Sequence, residues 1–256
     1  MKKHDTKIIA VSGKGGVGKT SLAAVMVRHL ILAYPNKRIL AIDADPAIGL
    51  STALGVDVKM TLDDIRKKIV KRADAGEHHE AIEILNEARF KIFDTMVEQN
   101  GFAFLAIGRP EAAGCYCTVN SYLKDVISTI ASDFDYVVID GEAGIEQINR
   151  RVMEKVTHLI LITDQSRKGV QVIKTIKDVA EELVMYEKIG VIVNRVTNPE
   201  LNKYIEVSGE EILAYINTDE HHAENDIQGM SIFELPEDSE VFDGVGKALR
   251  RIKILR

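Results

Sequence analysis

The chain has 256 residues, 46% hydrophobic and 28% charged, enough to bury a sizeable core, and no extended Pro-, Gly- or Ser-rich stretch points to disorder. Thirty-three Lys and Arg against 39 Asp and Glu leave a formal charge of −6, which argues against nucleic acid as a partner. The first apolar run, Ile8–Val11, is too short for a secretory signal. Arg28 and His29 break the longest apolar stretch below the roughly 18 residues of a membrane span, so a cytoplasmic protein with no stable membrane association is expected. Two cysteines, Cys115 and Cys117, stand one residue apart and offer no disulfide framework.

Short β-branched runs at Lys7–Ser12, Arg38–Asp43, Phe102–Ile107, Tyr136–Asp140, Leu159–Thr163, Gly190–Asn194 and Ser231–Leu235 predict strands buried on both faces of a sheet. Helical periodicity fills Lys19–Tyr34, Ser121–Ser132 and Gly169–Tyr186 between them. The alternation predicts right-handed crossovers and an α/β fold, a mostly parallel central sheet with helices on both faces. Thr61–Glu98 breaks the rhythm: charged and helical, with Ile65, Ile69, Ile82, Leu85, Ile92 and Phe93 as its apolar positions. It reads as a helical insertion at about 57–100 covering one edge of a single domain spanning 1–256.

Gly13-Lys14-Gly15-Gly16-Val17-Gly18-Lys19-Thr20 lies between a predicted strand and a predicted helix, the setting of a Walker A phosphate loop. Backbone N–H groups of Gly13, Gly15, Gly16, Val17 and Gly18 would face phosphate oxygens at a helix N-terminus, with Ser21 in the first helical turn. Lys19 would reach the β- and γ-phosphates of ATP or ADP, and the Thr20 hydroxyl would ligate Mg²⁺. Val137-Val138-Ile139-Asp140-Gly141-Glu142-Ala143-Gly144 reads as Walker B running into a switch. There Asp140 would hold Mg²⁺ through water and Gly144 would offer its N–H to the γ-phosphate; an Asp ending a strand can also be a helix cap.

With Lys14 ahead of the loop, the segment resembles the deviant Walker A group that includes MinD, ParA, the arsenite-pump ATPase and nitrogenase iron protein. The resemblance implies that Lys14 crosses a dimer interface to the partner's nucleotide, where the alternative is a solvated loop lysine. Asp43-Ala44-Asp45-Pro46 resembles the group's switch I, which assigns to Asp45 the orientation of the attacking water and acceptance of its proton. Ala47-Ile48-Gly49 stands where the group often has a polar residue. Val191-Ile192-Val193-Asn194-Arg195 resembles the strand whose terminal asparagine recognises adenine, which an amide can do with both a donor and an acceptor. Leu235-Pro236-Glu237-Asp238 resembles the later loop that closes over the base, with Pro236 as its marker. All of these motifs sit at predicted strand C-termini, where a parallel sheet gathers its ligand-binding loops.

Gly108-Arg109-Pro110-Glu111-Ala112-Ala113-Gly114-Cys115-Tyr116-Cys117 follows the third predicted strand toward that same edge. Two thiolates can chelate a soft ion, but a tetrahedral site wants four, and a two-fold dimer would supply the other pair. A redox dithiol and inert buried cysteines are the competing readings. Together with Glu142-Ala143-Gly144-Ile145-Glu146 and Arg150-Arg151, this segment resembles the CooC-type maturation factors of carbon monoxide dehydrogenase. Gly141 stands where those proteins often carry asparagine. The resemblance implies a homodimeric ATPase holding Ni²⁺ or Zn²⁺ on its cysteines and serving a nickel enzyme such as carbon monoxide dehydrogenase; the related factor for acetyl-CoA synthase shares the architecture.

The pairs His78-His79 and His221-His222 lie among acidic residues and read as solvated surface, since consecutive helical residues do not face one ligand. Two rival functions are a MinD- or ParA-like spatial regulator and an iron–sulfur electron donor. The second normally draws one cysteine from each of two separated segments, and this chain has a single pair. For the first, Val245, Leu249, Ile252 and Leu255 with interspersed Arg250, Arg251, Lys253 and Arg256 could form a membrane-surface helix. A terminal helix packed on the domain with its basic side outward is the preferred reading, because the apolar face is narrow.

Overall fold

The computed structural model describes residues 6–76, 79, 83, 87–108, 117–141, 148–149, 152–207 and 209–256. Eight strands form one sheet: β1 (Lys7–Gly13), β2 (Ile39–Asp43), β3 (Val97–Gln99), β4 (Phe102–Ala106), β5 (Tyr136–Asp140), β6 (His158–Thr163), β7 (Lys188–Val196) and β8 (Ile212–Asn217). Their order is β3-β4-β2-β5-β1-β6-β7-β8, parallel throughout except for β3 against β4. The apolar strands split by residue parity. Ile9 and Val11 of β1 and Ile160 and Ile162 of β6 enter one core layer, while Ala10, Leu159 and Leu161 enter the other.

The first layer is closed by α1 (Lys19–Ala33), α2 (Gly49–Leu54) and α8 (Glu240–Arg251); the second by α3 (Leu62–Asp74), α5 (Cys117–Ala131) and α6 (Arg167–Leu183). Helix α4 (Ala88–Thr95) precedes β3, and α7 (Glu220–Gln228) follows β8. Of the insertion's apolar positions, Ile65, Ile69 and Ile92 join the second core layer, whereas Phe93 is 42% exposed. Ile82 and Leu85 lie outside the described residues.

Helix α1 is buried along most of its length, and it buries Arg28 and His29 as well. The Arg28 guanidinium donates to the carbonyls of Ile232 and Leu235 and lies 4.7 Å over the Phe242 ring. His29 Nε2 donates to the Phe242 carbonyl at 2.8 Å while its ring stacks on the same Phe242. The two polar residues that interrupt the apolar run therefore tie α1 to the C-terminal segment.

Helix α8 packs on the sheet, as preferred from the sequence. Val245 and Leu249 are fully buried and Ile252 nearly so, while Arg250 and Arg251 face outward. Among the described residues no helix is long and apolar enough to cross a membrane.

The last strand differs from expectation. Ser231–Leu235 is not a strand: Ile232–Glu234 forms a 3-10 turn closed by reciprocal capping between Ser231 and Glu234. The final strand is β8, further upstream, with Leu213, Ala214 and Ile216 inward and Tyr215 exposed.

Candidate nucleotide site

The phosphate loop leaves β1 at Gly13, whose φ is +150°; a Cβ there would lie 2.0 Å from the Ile162 carbonyl oxygen of β6, so only glycine fits. Gly18, at φ +88°, delivers the chain into α1, and a Cβ on it would meet the Asn194 side-chain amide at 2.8 Å. Lys19 folds back over the loop, its Nζ donating to the Lys14 carbonyl at 3.1 Å. Two residues of β7 hold the loop from the side. The Asn194 amide donates to the Val17 carbonyl and the Arg195 guanidinium to the Gly16 carbonyl, each at 2.8 Å. Arg195 does so from a left-handed backbone, φ +55°, which a non-glycine residue adopts only under constraint from its surroundings.

Three aspartates face the loop from neighbouring strand ends. Asp140, at the end of β5, is fully buried, and neither carboxylate oxygen has a hydrogen-bond partner. Burial raises its pKa to about 7, with Asp43 and Asp45 adding repulsion and the Thr20 hydroxyl and Lys19 opposing. Asp43, also fully buried, is raised to about 6, chiefly by burial. Its two oxygens accept from the backbone N–H groups of Asp45, at 3.1 Å, and Leu50, at 2.9 Å. An orphaned buried carboxylate beside a threonine hydroxyl and a second acidic group is the donor set a hard divalent cation completes, so Thr20 and Asp140 fit Mg²⁺. Asp45 is partly exposed, and its carboxylate accepts from Ala47 N at 2.8 Å.

Sequence reasoning singled out Asp45 but missed Asp43, which shapes the loop that carries it. An Asp two residues ahead of another at a strand end is an Asx-turn signal and would have found it. Also missed was Asp164, the residue after β6. The Lys14 ammonium lies 2.6 Å from Asp164 Oδ2 and 3.4 Å from Ser166 Oγ, within the same chain. Although burial acts the other way, the bond from Lys14 and those that the Ser166 hydroxyl and backbone N–H donate to Asp164 Oδ1 hold the Asp164 carboxyl below the usual carboxylate range. Gly169 makes room: a Cβ on it would strike Asp164 Oδ1 at 2.3 Å.

Pro236 is exposed, and the bonds around it run elsewhere. Leu235 is bound by Arg28, and Ser239 N donates to the Pro236 carbonyl at 3.2 Å. Arg28 is nine residues past Lys19, about 13 Å along the helix. The segment near Arg195 is instead the start of α7, where His222 is half-buried with an unpartnered Nδ1. Burial first, and then the Arg195 cation, keep its pKa low. His222 thus departs from the solvated reading, because consecutive residues at a helix start point in different directions; His221 is exposed as expected. His79 is exposed beside Glu83, and His78 lies outside the described residues.

Cys117 opens α5. Cys115, Gly144 and the segments 109–116, 142–147 and 150–151 lie outside the described residues. Among the described residues no three His, Cys, Asp or Glu side chains converge to hold a metal.

A glycine loop between strand and helix, a lysine across it and buried carboxylates at the adjoining strand ends define a P-loop ATPase. The chain belongs to the CobQ/CobB/MinD/ParA nucleotide binding domain family, whose profile matches residues 8–232. It is 38% identical over 250 residues to an uncharacterized ATP-binding protein of Methanocaldococcus jannaschii, covering 96% of this chain and 98% of that one. It is 30% identical over 200 residues, 75% of each chain, to the carbon monoxide dehydrogenase accessory protein CooC of Rhodospirillum rubrum. The cell division ATPase MinD of Pyrococcus furiosus shares the fold with a TM-score of 0.67 at 22% identity, over 97% of this chain and 98% of that one. MinD of Pyrococcus horikoshii, complexed with Mg-ADP, superposes with a TM-score of 0.65 at 23% identity over 95% and 94%.

Proposed function

We propose that this ATPase is a dimeric maturation factor that carries a transition-metal ion on Cys115 and Cys117 of each subunit and delivers it to a nickel enzyme such as carbon monoxide dehydrogenase. The observation that carries the reading is the Cys-Tyr-Cys segment in a chain 30% identical to CooC. In sequence the segment lies between β4 and α5, and β4 runs parallel to β2, so the carboxyl end of β4 lies on the sheet edge that carries the phosphate loop.

ATP is cleaved by water to ADP and phosphate. The loop amides and Lys19 bind the phosphates, and Asp45 orients the water and receives its proton. Thr20 and Asp140 would hold Mg²⁺, which would supply positive charge to offset that of the phosphates. Asn194 borders the base, and Lys14 leaves Asp164 to reach the nucleotide of the second subunit. Closure brings four thiolates together around the cargo ion, and ADP lets them part.

The test is activation of nickel-free carbon monoxide dehydrogenase by the nickel-loaded protein. Activity should return with MgATP, and neither MgADP nor Lys19→Ala should support it. Equal activation by nickel alone would remove the delivery role.

A further inference from the structure

Two polar groups on α7 are shielded from solvent yet unpaired. His222 Nδ1 and Asn225 Nδ2 meet no hydrogen-bond partner among the described residues. Their spacing of three puts them on one face of the helix. A buried polar group without a partner costs free energy, so a pair of them on one face marks a surface that a bound polar molecule completes.

This face belongs to the surroundings of the phosphate loop. Asn194 and Arg195 of β7 bond the carbonyls of Val17 and Gly16. The next residue, Val196, accepts from Thr218 N at 3.0 Å, and Asp219 then caps α7, taking the His222 N–H at 2.9 Å. The other Asp219 oxygen accepts from Val241 N at 3.0 Å, which ties this turn to α8. Arg195, clamped to the loop from its left-handed backbone, is near enough to His222 for its charge to act on the imidazole. By contrast Leu235, ahead of Pro236, is bound by Arg28.

We infer that His222 and Asn225 read the base of the bound nucleotide and are specificity-determining residues of this ATPase. The inference rests on the nucleotide site and is independent of metal delivery. Chemistry selects the base over the phosphates. Phosphate oxygens only accept and attract cations, and the loop amides and Lys19 already answer them. Burial favours the neutral His222 imidazole, so neither it nor the Asn225 amide brings a cation. Each can give or take a hydrogen bond. A purine edge alternates ring nitrogens with an exocyclic amino or oxo group, the pattern such a pair distinguishes.

The experiment is calorimetric titration of the full chain with Mg²⁺ and a non-hydrolysable ATP analogue, the matching GTP analogue, or tripolyphosphate, which has no nucleoside. Wild type should prefer the ATP analogue to the GTP analogue. His222→Ala and Asn225→Ala should each weaken the ATP analogue about fivefold or more and narrow that preference, because each removes a hydrogen bond made to the base. Tripolyphosphate should stay within about twofold, which also reports an intact loop. His222→Phe, which keeps an aromatic ring without nitrogen, should lose as much as His222→Ala. His221→Ala, at the exposed neighbour, should bind like wild type. Unchanged affinity for the ATP analogue in both alanine variants would overturn the assignment. A loss shared by tripolyphosphate would overturn it too, and so would a loss that leaves the preference for ATP over GTP intact, which would move the contact to the ribose. A wild-type chain that binds none of the three would overturn the nucleotide site itself.

Discussion

Lys14 and Asp164 form an ion pair within one chain, Nζ to Oδ2 at 2.6 Å, beside the phosphate loop. If Lys14 reaches the nucleotide of a second subunit, as proposed above, closure of that dimer has to break this bond. The two side chains are 26% and 28% exposed, so solvent screens the pair and it contributes about 0.2–1 kcal/mol. Asp164→Asn should therefore tighten ATP-dependent association by about two- to fivefold per subunit, measured by sedimentation equilibrium. Weaker association in this variant would mean that Asp164 serves the dimer directly.

Asp140 and Asp43 give the site a pH signature. Their carboxyls sit at about 7 and about 6, so in the nucleotide-free protein they favour folding in acid and lose that contribution as pH rises through those values. Asp140→Asn should raise the melting temperature of the nucleotide-free protein at pH 8 by about 3 °C or more, and much less at pH 4. The same variant should lose Mg²⁺-dependent ATPase activity. In the wild type, Mg²⁺-dependent nucleotide binding should strengthen between pH 6 and 8, because a cation requires the ionised form. Calorimetric melts and titrations over that range check both.

Lys19 and Asp45 should separate binding from chemistry. Lys19→Ala should abolish productive ATP binding, since the loop loses the cation aimed at the β- and γ-phosphates. Asp45→Asn should leave ATP bound but reduce single-turnover hydrolysis by about 100-fold or more, because an amide cannot take the proton. A rate within a few-fold of wild type would move the water-orienting role elsewhere.

Much of this was legible because it is local. Gly13–Thr20, Asp43–Pro46 and Val137–Asp140 each announce themselves by residue type beside an apolar strand, and a buried parallel sheet makes those strands conspicuous. What the sequence hid depends on long-range packing or on half-burial. The Lys14–Asp164 contact joins residues 150 apart. The edge strand β8 alternates too weakly to stand out, with Tyr215 outward, while Ser231–Leu235 imitates a strand until the reciprocal capping of Ser231 and Glu234 is noticed. Arg28 and His29 looked like an interruption, and their partners lie more than two hundred residues away.

His158 should make the fold acid-sensitive at the far end of the sheet. It starts β6, is almost fully buried and has an unpartnered Nε2; burial, then the Lys188 and Lys7 cations, depress it to about 4. A histidine held neutral in the fold contributes stability above its unfolded value of about 6.5, and this is lost as pH falls toward 4. His158→Gln should flatten that part of the profile, read as melting temperature from pH 7.5 to 4.5. An unchanged slope would place the acid sensitivity at other groups.

The central claim, that Cys115 and Cys117 hold a cargo ion shared between two subunits, is tested most directly by elemental analysis of the anaerobically prepared dimer. The account predicts one divalent ion per two chains, bound more weakly as pH falls below the thiol titration and lost in either Cys115→Ser or Cys117→Ser. One ion per chain, or metal content unchanged when both cysteines are serine, would contradict it.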